Sequence, residues 1–326
     1  MKKSIIALGV VAMATLLLAC NKQNPTIEKT PMTISAAIEE PDGGDATKIS
    51  FDRETNQVTW ADGDVVRVFA PLKSDLRPAS GNGRLNTFNV TSISLDGKTA
   101  SFVADEVHDW EDAGQARAIY GAVYGADVFG SYQGVQARTG GGDAYMLTAT
   151  LGSFQRYSSA NNPIKQLLFM TSQTVNISGT DYSPLQDLRF HHKTAIVKIP
   201  VKNTGGSITL KDIEITGNKI NGEYYGPWVN YTTYTPFIGG DLSSEASSGN
   251  RTTLFSISST LNSTLRYYYI VIWPGTTTAG NFKIKLRDSS DNTKTFTYNG
   301  GDFTAEAGHV YKFPVIDWNA KALDSL

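Results

Sequence analysis

Cys20 is the single thiol in a chain of 326 residues, so its expected chemistry is modification rather than pairing. A lone cysteine closes no internal disulfide. It stands directly after Leu17-Leu18-Ala19, at the end of an apolar run over residues 5–18 that follows Lys2 and Lys3. A positive start, an apolar stretch and a small residue before the break are the layout of a secretory signal peptide. The run is short for a bilayer-spanning helix, which needs about 20 residues. The other reactive side chains form no recognisable machinery. His108, His191, His192 and His309 have no spacing that puts two metal ligands on one helix face. His191 and His192 are adjacent, so on a strand they point to opposite faces. There is no Gly-x-Ser-x-Gly elbow. The run Thr139-Gly140-Gly141-Gly142-Asp143 lacks the glycine offsets and the following helix of a phosphate cradle. Glu39-Glu40 and Glu111-Asp112 are sequence neighbours in polar surroundings. Glycoside hydrolysis needs two carboxyls facing each other across a cleft, and nothing nominates such a pair. The expectation is a protein that is not an enzyme, with no catalytic residue, cofactor or metal.

Leu17-Leu18-Ala19-Cys20 resembles the bacterial lipobox, in which the cysteine becomes the mature N-terminus and carries acyl chains. Residues 1–19 are then the signal peptide, and residues 20–31 a lipidated tether, polar and interrupted by Pro25. At about 0.8 kcal/mol per buried CH₂, one chain binds a membrane marginally, whereas two or three hold it almost permanently. Residue 21 is Asn rather than Asp, which by resemblance to enterobacterial lipoproteins argues against retention at the inner membrane.

The elements that follow are short. Runs at residues 32–38, 48–51, 57–60, 65–70, 87–90, 100–103 and 116–124 alternate apolar and polar residues, and Gly, Asn, Asp and Ser separate them. A second set lies at residues 188–201, 207–210, 212–216, 253–258, 267–273, 282–286, 295–298 and 309–316. Residues 130–143 are glycine-rich and read as loop. No segment carries a sustained helical period, although residues 103–113 could hold a turn or two. Basic and acidic residues number 29 and 31, which leaves no strong field for nucleic acid or an anionic surface. An apolar fraction of 40%, with 15 Tyr and 14 Phe, is enough for buried cores. The fold class expected is all-β, a β-sandwich architecture. Ser178-Gly179-Thr180-Asp181 and Pro184 interrupt the pattern, so two domains are expected, at residues 32–182 and 183–326.

Within that frame the aromatics can be read in two ways. Trp60 and Trp273 sit in apolar strand patterns and suit a core, whereas residues 224–234, rich in Tyr, Gly, Pro and Asn, could form an exposed surface that stacks on sugars. In Ala195, Val197 and Ile199 against Ile196, apolar side chains fall on both faces, as in a strand covered on each side. Arg53 lies in a polar turn between two early strands, where a protease can reach the backbone, or is an ordinary turn arginine. Arg67 is within a strand, and Arg77 and Arg84 are loop alternatives. Two terminal segments alternate as a strand that fills a groove should: residues 32–38, through Ile34, Ala36 and Ile38, and the tail, through Ile316, Trp318, Ala320 and Ala322. The tail could equally prolong the last strand or fray.

Three segments together resemble the fimbrillin-like outer-membrane lipoproteins of Bacteroidetes. The first is Val58-Thr59-Trp60-Ala61-Asp62-Gly63-Asp64-Val65-Val66-Arg67-Val68-Phe69, with a Trp-x-x-Gly-Asp turn before an apolar strand. The second is Leu188-Arg189-Phe190-His191-His192-Lys193-Thr194-Ala195, in which His192 matches the family histidine. The third is Gly308-His309-Val310-Tyr311-Lys312-Phe313, similar to the closing strand. The resemblance implies two tandem transthyretin-like β-sandwich domains. It implies a fimbrial (pilus) subunit, or an associated tip or anchor protein, at the outer membrane and cell surface. Its partners would be other fimbrial subunits, the outer membrane through the lipid anchor, and a host glycan or protein, with no nucleic acid. It further implies that an arginine-specific protease cuts after an early strand and that a strand from the next subunit fills the opened groove. The alternative is a non-polymerising surface lipoprotein that binds glycan through exposed aromatics.

Overall fold

The computed structural model describes residues 32–39, 58–69, 85–105, 113–120, 125–126, 132–139, 144–157, 167–173, 175–178, 183–230, 236–237 and 250–320. Up to His192 the strands are β1 (Thr33–Ile38), β2 (Val65–Phe69), β3 (Leu85–Ile93), β4 (Thr99–Ala104), β5 (Ala113–Tyr120), β6 (Gly125–Ala126), β7 (Tyr132–Thr139), β8 (Ala144–Leu151), β9 (Phe154–Arg156), β10 (Met170–Ser172), β11 (Val175–Ser178) and β12 (Leu188–His192). Beyond it come β13 (Ala195–Lys202), β14 (Ile208–Gly217), β15 (Gly222–Asn230), β16 (Pro236–Phe237), β17 (Asn250–Phe255), β18 (Ser259–Leu261), β19 (Arg266–Ile272), β20 (Gly275–Thr277), β21 (Lys283–Asp288), β22 (Thr293–Thr297), β23 (Phe303–Ala305), β24 (Val310–Lys312) and β25 (Ile316–Asp317). The described residues are thus nearly all-β, with one 3₁₀ turn at Ser183–Gln186.

The first sheet runs β10-β12-β1-β4-β3-β2-β5-β11, and β10 also pairs with β5, so the sheet closes upon itself. Its strands alternate as half-buried strands must: β1 and β4 each bury every second side chain. The enclosed core centres on Trp60, whose ring meets Phe102, Tyr120 and Phe190 edge-on at 5.0, 5.8 and 5.5 Å. The turn after Trp60 has a physical reason for its residues. Gly63 takes φ 77°, a left-handed conformation that side chains resist. The Asp64 carboxylate then accepts the Ala61 amide at 2.7 Å and the Tyr120 hydroxyl at 3.2 Å. Burial, and next the Asp64 charge, push the Tyr120 hydroxyl far above its ordinary value.

The second core lies between the sheet β19-β13-β24, with β25 also on β13, and the sheet β22-β21-β14-β17-β9. β13 and β19 serve both cores. Val197, Ile199, Tyr268 and Ile270 face the second, while Ile196, Tyr269, Val271 and Trp273 face the first. This accounts for the unbroken apolar character of β13. Gln155 ties the layers together: its side chain donates to the Val271 carbonyl at 2.6 Å and accepts the Val271 amide at 2.9 Å.

Two segments differ from the reading of the sequence. Residues 132–139, expected as loop, form β7, which pairs with β6 at Tyr132 and Gln133 and with β8 from Gly134 to Thr139. Tyr132, Val135 and Thr139, opposite a ready partner, outweigh the glycines. The strand β12, expected to open the second half, pairs with β1 and β10 and packs in the first core. Membership of the cores changes between Phe190 and Ala195.

Candidate functional site

β1 has the sequence Thr-Ile-Ser-Ala-Ala-Ile and occupies a slot in the middle of the first sheet. On one side it pairs antiparallel with β4, from Thr33↔Val103 to Ala37↔Thr99. On the other it pairs parallel with β12, from Ala36↔Leu188 to Ile38↔Phe190. Bonds just past its ends extend both ladders: Ile38 N–H to Lys98 O at 3.0 Å, Glu39 N–H to Phe190 O at 2.9 Å, and Ala104 N–H to Met32 O at 2.9 Å. Ile34, Ala36 and Ile38 point into the core and are buried. Burying an isoleucine stabilises by about 1.5–3 kcal/mol. The small residue stands at the middle position, opposite Ala100 on β4.

The outer face of β1 is held by polar groups of the 3₁₀ turn and of β12. Ser35 Oγ donates to the Gln186 carbonyl, and Gln186 Nε2 donates to the Thr33 carbonyl. The Glu39 carboxylate meets Arg189 at 3.1 Å and His191 at 3.3 Å. The bond to Glu39, ahead of the pairing with Asp187, holds the Arg189 guanidinium above its already high value. These groups are exposed, so the clamp fixes register more than it stabilises. His192, the neighbour of His191, turns inward and is buried. The strand therefore separates the two histidines, as their adjacency requires.

The tail meets its own fold. Ile316 is buried and pairs with Val201, and Trp318 is 9% exposed, its amide donating to Lys202 O at 2.8 Å. Asp317 accepts the Thr204 amide at 3.1 Å, the Thr204 hydroxyl at 2.8 Å and the Asn319 amide at 3.0 Å. Burial raises the Asp317 carboxyl, but these donors outweigh it and hold the carboxyl below its ordinary value. Lys294 Nζ donates to the Trp318 and Ala320 carbonyls and lies 5.7 Å from the Trp318 ring. Ile316 and Trp318 are thus brought together in the second core, apart from Ile34, Ala36 and Ile38 in the first. Cys20, Arg53 and Ala322 lie outside the described residues, as do the side chains of residues 224–230, whose backbone forms part of β15.

Sequence reasoning named β1 as eligible to fill a groove but did not see the clamp on it. Glu39 stands one residue past an alternating strand, and that position is the local signal of the clamp. Gln155 carried no signal, because nothing local distinguishes a buried glutamine from an exposed one.

The sequence profile of the fimbrillin-like family matches residues 53–317. Among solved structures, the chain is similar to a candidate cell adhesion protein of Bacteroides ovatus ATCC 8483, at 15% identity over 89% of this chain and 93% of that one, with a TM-score of 0.47. It is similar to a candidate cell adhesion protein of Bacteroides uniformis ATCC 8492, at 16% identity over 88% and 93%, with a TM-score of 0.44. A candidate adhesin of Bacteroides ovatus is similar at 10% identity over 84% and 79%, with a TM-score of 0.36. No curated protein matches the chain.

Proposed function

We propose, on the premise that the chain belongs to the fimbrillin-like family, that it is a cell-surface fimbrial subunit, or an associated tip or anchor protein, that assembles by strand exchange at the slot of β1. The supporting observation is that slot: a short terminal strand, paired on both sides, whose core-facing residues are Ile34, Ala36 and Ile38. Acyl chains on Cys20 would hold the precursor at the outer membrane. Cleavage at Arg53 would then leave β1 held by non-covalent contacts alone. Loss of β1 bares two rows of backbone donors and acceptors, on β4 and β12. A strand from the next subunit satisfies both rows, and its alternate side chains fill the positions of Ile34, Ala36 and Ile38. Until cleavage, β1 covers edges that would otherwise invite uncontrolled pairing. No catalysis belongs to this role.

The tail Ile316, Trp318, Ala320, Ala322 remains a donor in this reading only at a cost, because Ile316 and Trp318 would have to leave the second core. The test uses the full chain in cells, wild type against Arg53→Ala. Expected is a detergent-resistant ladder of oligomers in the wild type, with β1 absent from the N-terminal sequence. Arg53→Ala should give monomer that retains β1. An unchanged ladder and an intact N-terminus in Arg53→Ala would overturn the reading.

A further inference from the structure

Aromatic rings converge at the margin of the second core, with Phe282, Phe303 and Phe313 within it and Tyr298 and Tyr311 packed against it. Phe282 stacks on Phe313, with centroids 5.1 Å apart and planes 9° from parallel, and backs it from the core side. Tyr298 stands steeply to Phe303 and Phe313, at 74° and 76°, and Tyr311 stands to Phe303 at 77°. The rings thus make a buried floor, Phe303 and Phe313, with upright half-buried walls, Tyr298 and Tyr311. They line a pocket of about 380 Å³, within the size range of small-ligand sites.

The walls are fixed before any ligand arrives. The Tyr311 hydroxyl accepts the Glu306 amide at 2.8 Å. A Cβ on Gly300 would lie 2.4 Å from the Tyr298 hydroxyl, so the backbone after β22 closes against that phenol and only glycine fits there. Gly301, at φ 97°, then turns the chain and brings Asp302 to the pocket. One Asp302 carboxylate oxygen accepts the Ala279 amide at 2.9 Å, which anchors the group and leaves its second oxygen for a ligand. Lys312 is the other charged residue of the lining. It alternates to the face opposite Tyr311 and Phe313 and stands in register with Lys198. The pocket is therefore an aromatic box that carries one carboxylate.

Aromatic faces are negative, and a cation set among several of them is attracted by about 0.5–2 kcal/mol per ring. A primary ammonium suits this box poorly, because it is strongly hydrated and brings three donors to a lining that is mostly carbon. A sugar brings hydroxyls that a phenylalanine floor cannot bond. A methylated ammonium brings no donor, presents apolar methyls to the rings and keeps its charge for the carboxylate. We infer that this pocket binds a quaternary ammonium group, with its methyls against Phe303, Phe313, Tyr298 and Tyr311 and its charge beside Asp302. The inference goes beyond the assembly reading and uses no residue of β1 or of its slot.

Calorimetric titration of the full-length protein tests it, with choline, its uncharged carbon analogue dimethylbutanol, phosphocholine and glucose as probes. Choline should bind, and dimethylbutanol should bind at least about tenfold more weakly, since it differs only in charge. Asp302→Asn keeps an acceptor for the Ala279 amide and removes the charge. It should weaken choline several-fold and leave dimethylbutanol unchanged. Tyr298→Leu keeps apolar bulk without a ring face and should also weaken choline several-fold. Phosphocholine binding as tightly as choline would assign the site to a lipid headgroup, and weaker binding would assign it to a free methylated amine. No binding of choline, equal binding of dimethylbutanol, binding of glucose in place of choline, or a choline affinity unaltered in both variants would each overturn the inference. None of these readouts depends on polymer, so they stand apart from the Arg53→Ala ladder.

Discussion

The two terminal strands, β1 and β25, carry the same alternation and are held in opposite ways. β1 lies between two partners, parallel to one and antiparallel to the other. Among the described residues, β25 pairs with β13 alone. The strand with fewer backbone partners is also tied by side chains, through Asp317 to Thr204 and through Lys294 to the carbonyls of Trp318 and Ala320. The strand with more backbone partners is clamped by Ser35 and Gln186 and by the ion pairs around Glu39. A backbone slot accepts any strand of suitable side-chain size, whereas a set of side-chain bonds accepts one sequence. That is the physical difference between a place built for exchange and one built for closure.

The contrast can be broken most forcefully at β1. Ile34→Asp puts a carboxylate into the first core and should cost 4 kcal/mol or more, on the order of the largest single-residue effects. Urea unfolding would measure this, and a small loss would mean that β1 contributes little to the core. Trp318→Ala comes next, with an expected loss of about 3 kcal/mol, at the low end for a buried tryptophan because its edge is exposed. If stability is unchanged, the tail is only resting on the second core. Gln155→Ala leaves the Val271 amide and carbonyl without their side-chain partner and should cost about 2 kcal/mol. Hydrogen exchange at Val271 would localise the effect.

Two smaller effects sharpen the comparison. The Asp317 carboxyl is held below its ordinary value of 3.8. A carboxyl depressed in the folded state stabilises above its unfolded value and loses that contribution as pH falls through its folded value. The difference in stability between wild type and Asp317→Asn should therefore be constant above about pH 5, shrink below about pH 4, and stay under about 1 kcal/mol. Glu39→Gln should change stability by no more than about 0.5 kcal/mol, because the pairs it makes are exposed. A larger loss would show that the outer clamp, and not the slot, retains β1.

Much of this was legible from local pattern. Alternation marked β1, β2 and β4, because a half-buried strand must alternate. The Asp62-Gly63-Asp64 turn could be read because a left-handed residue before a capping carboxylate needs those residue types. The double-faced burial of β13 was visible in Ile196 standing against Val197 and Ile199. β7 was missed because its glycines signal a loop until β8 is set beside it. The placement of β12 was missed because sequence order suggests the second half, whereas its partners come from the first. The aromatic pocket was not foreseen, since Tyr298, Phe303, Tyr311 and Phe313 converge from separate segments.

The sequence by itself determined the all-β class, the inward faces of the strands and the family, because these rest on residue types and periods within a few positions of one another. Only the tertiary structure decided that β1 lies between β4 and β12 and that Trp318 turns into the second core. Each of these depends on contacts between residues far apart in the chain. A strand's own period says which face is buried, but not which strand will lie beside it.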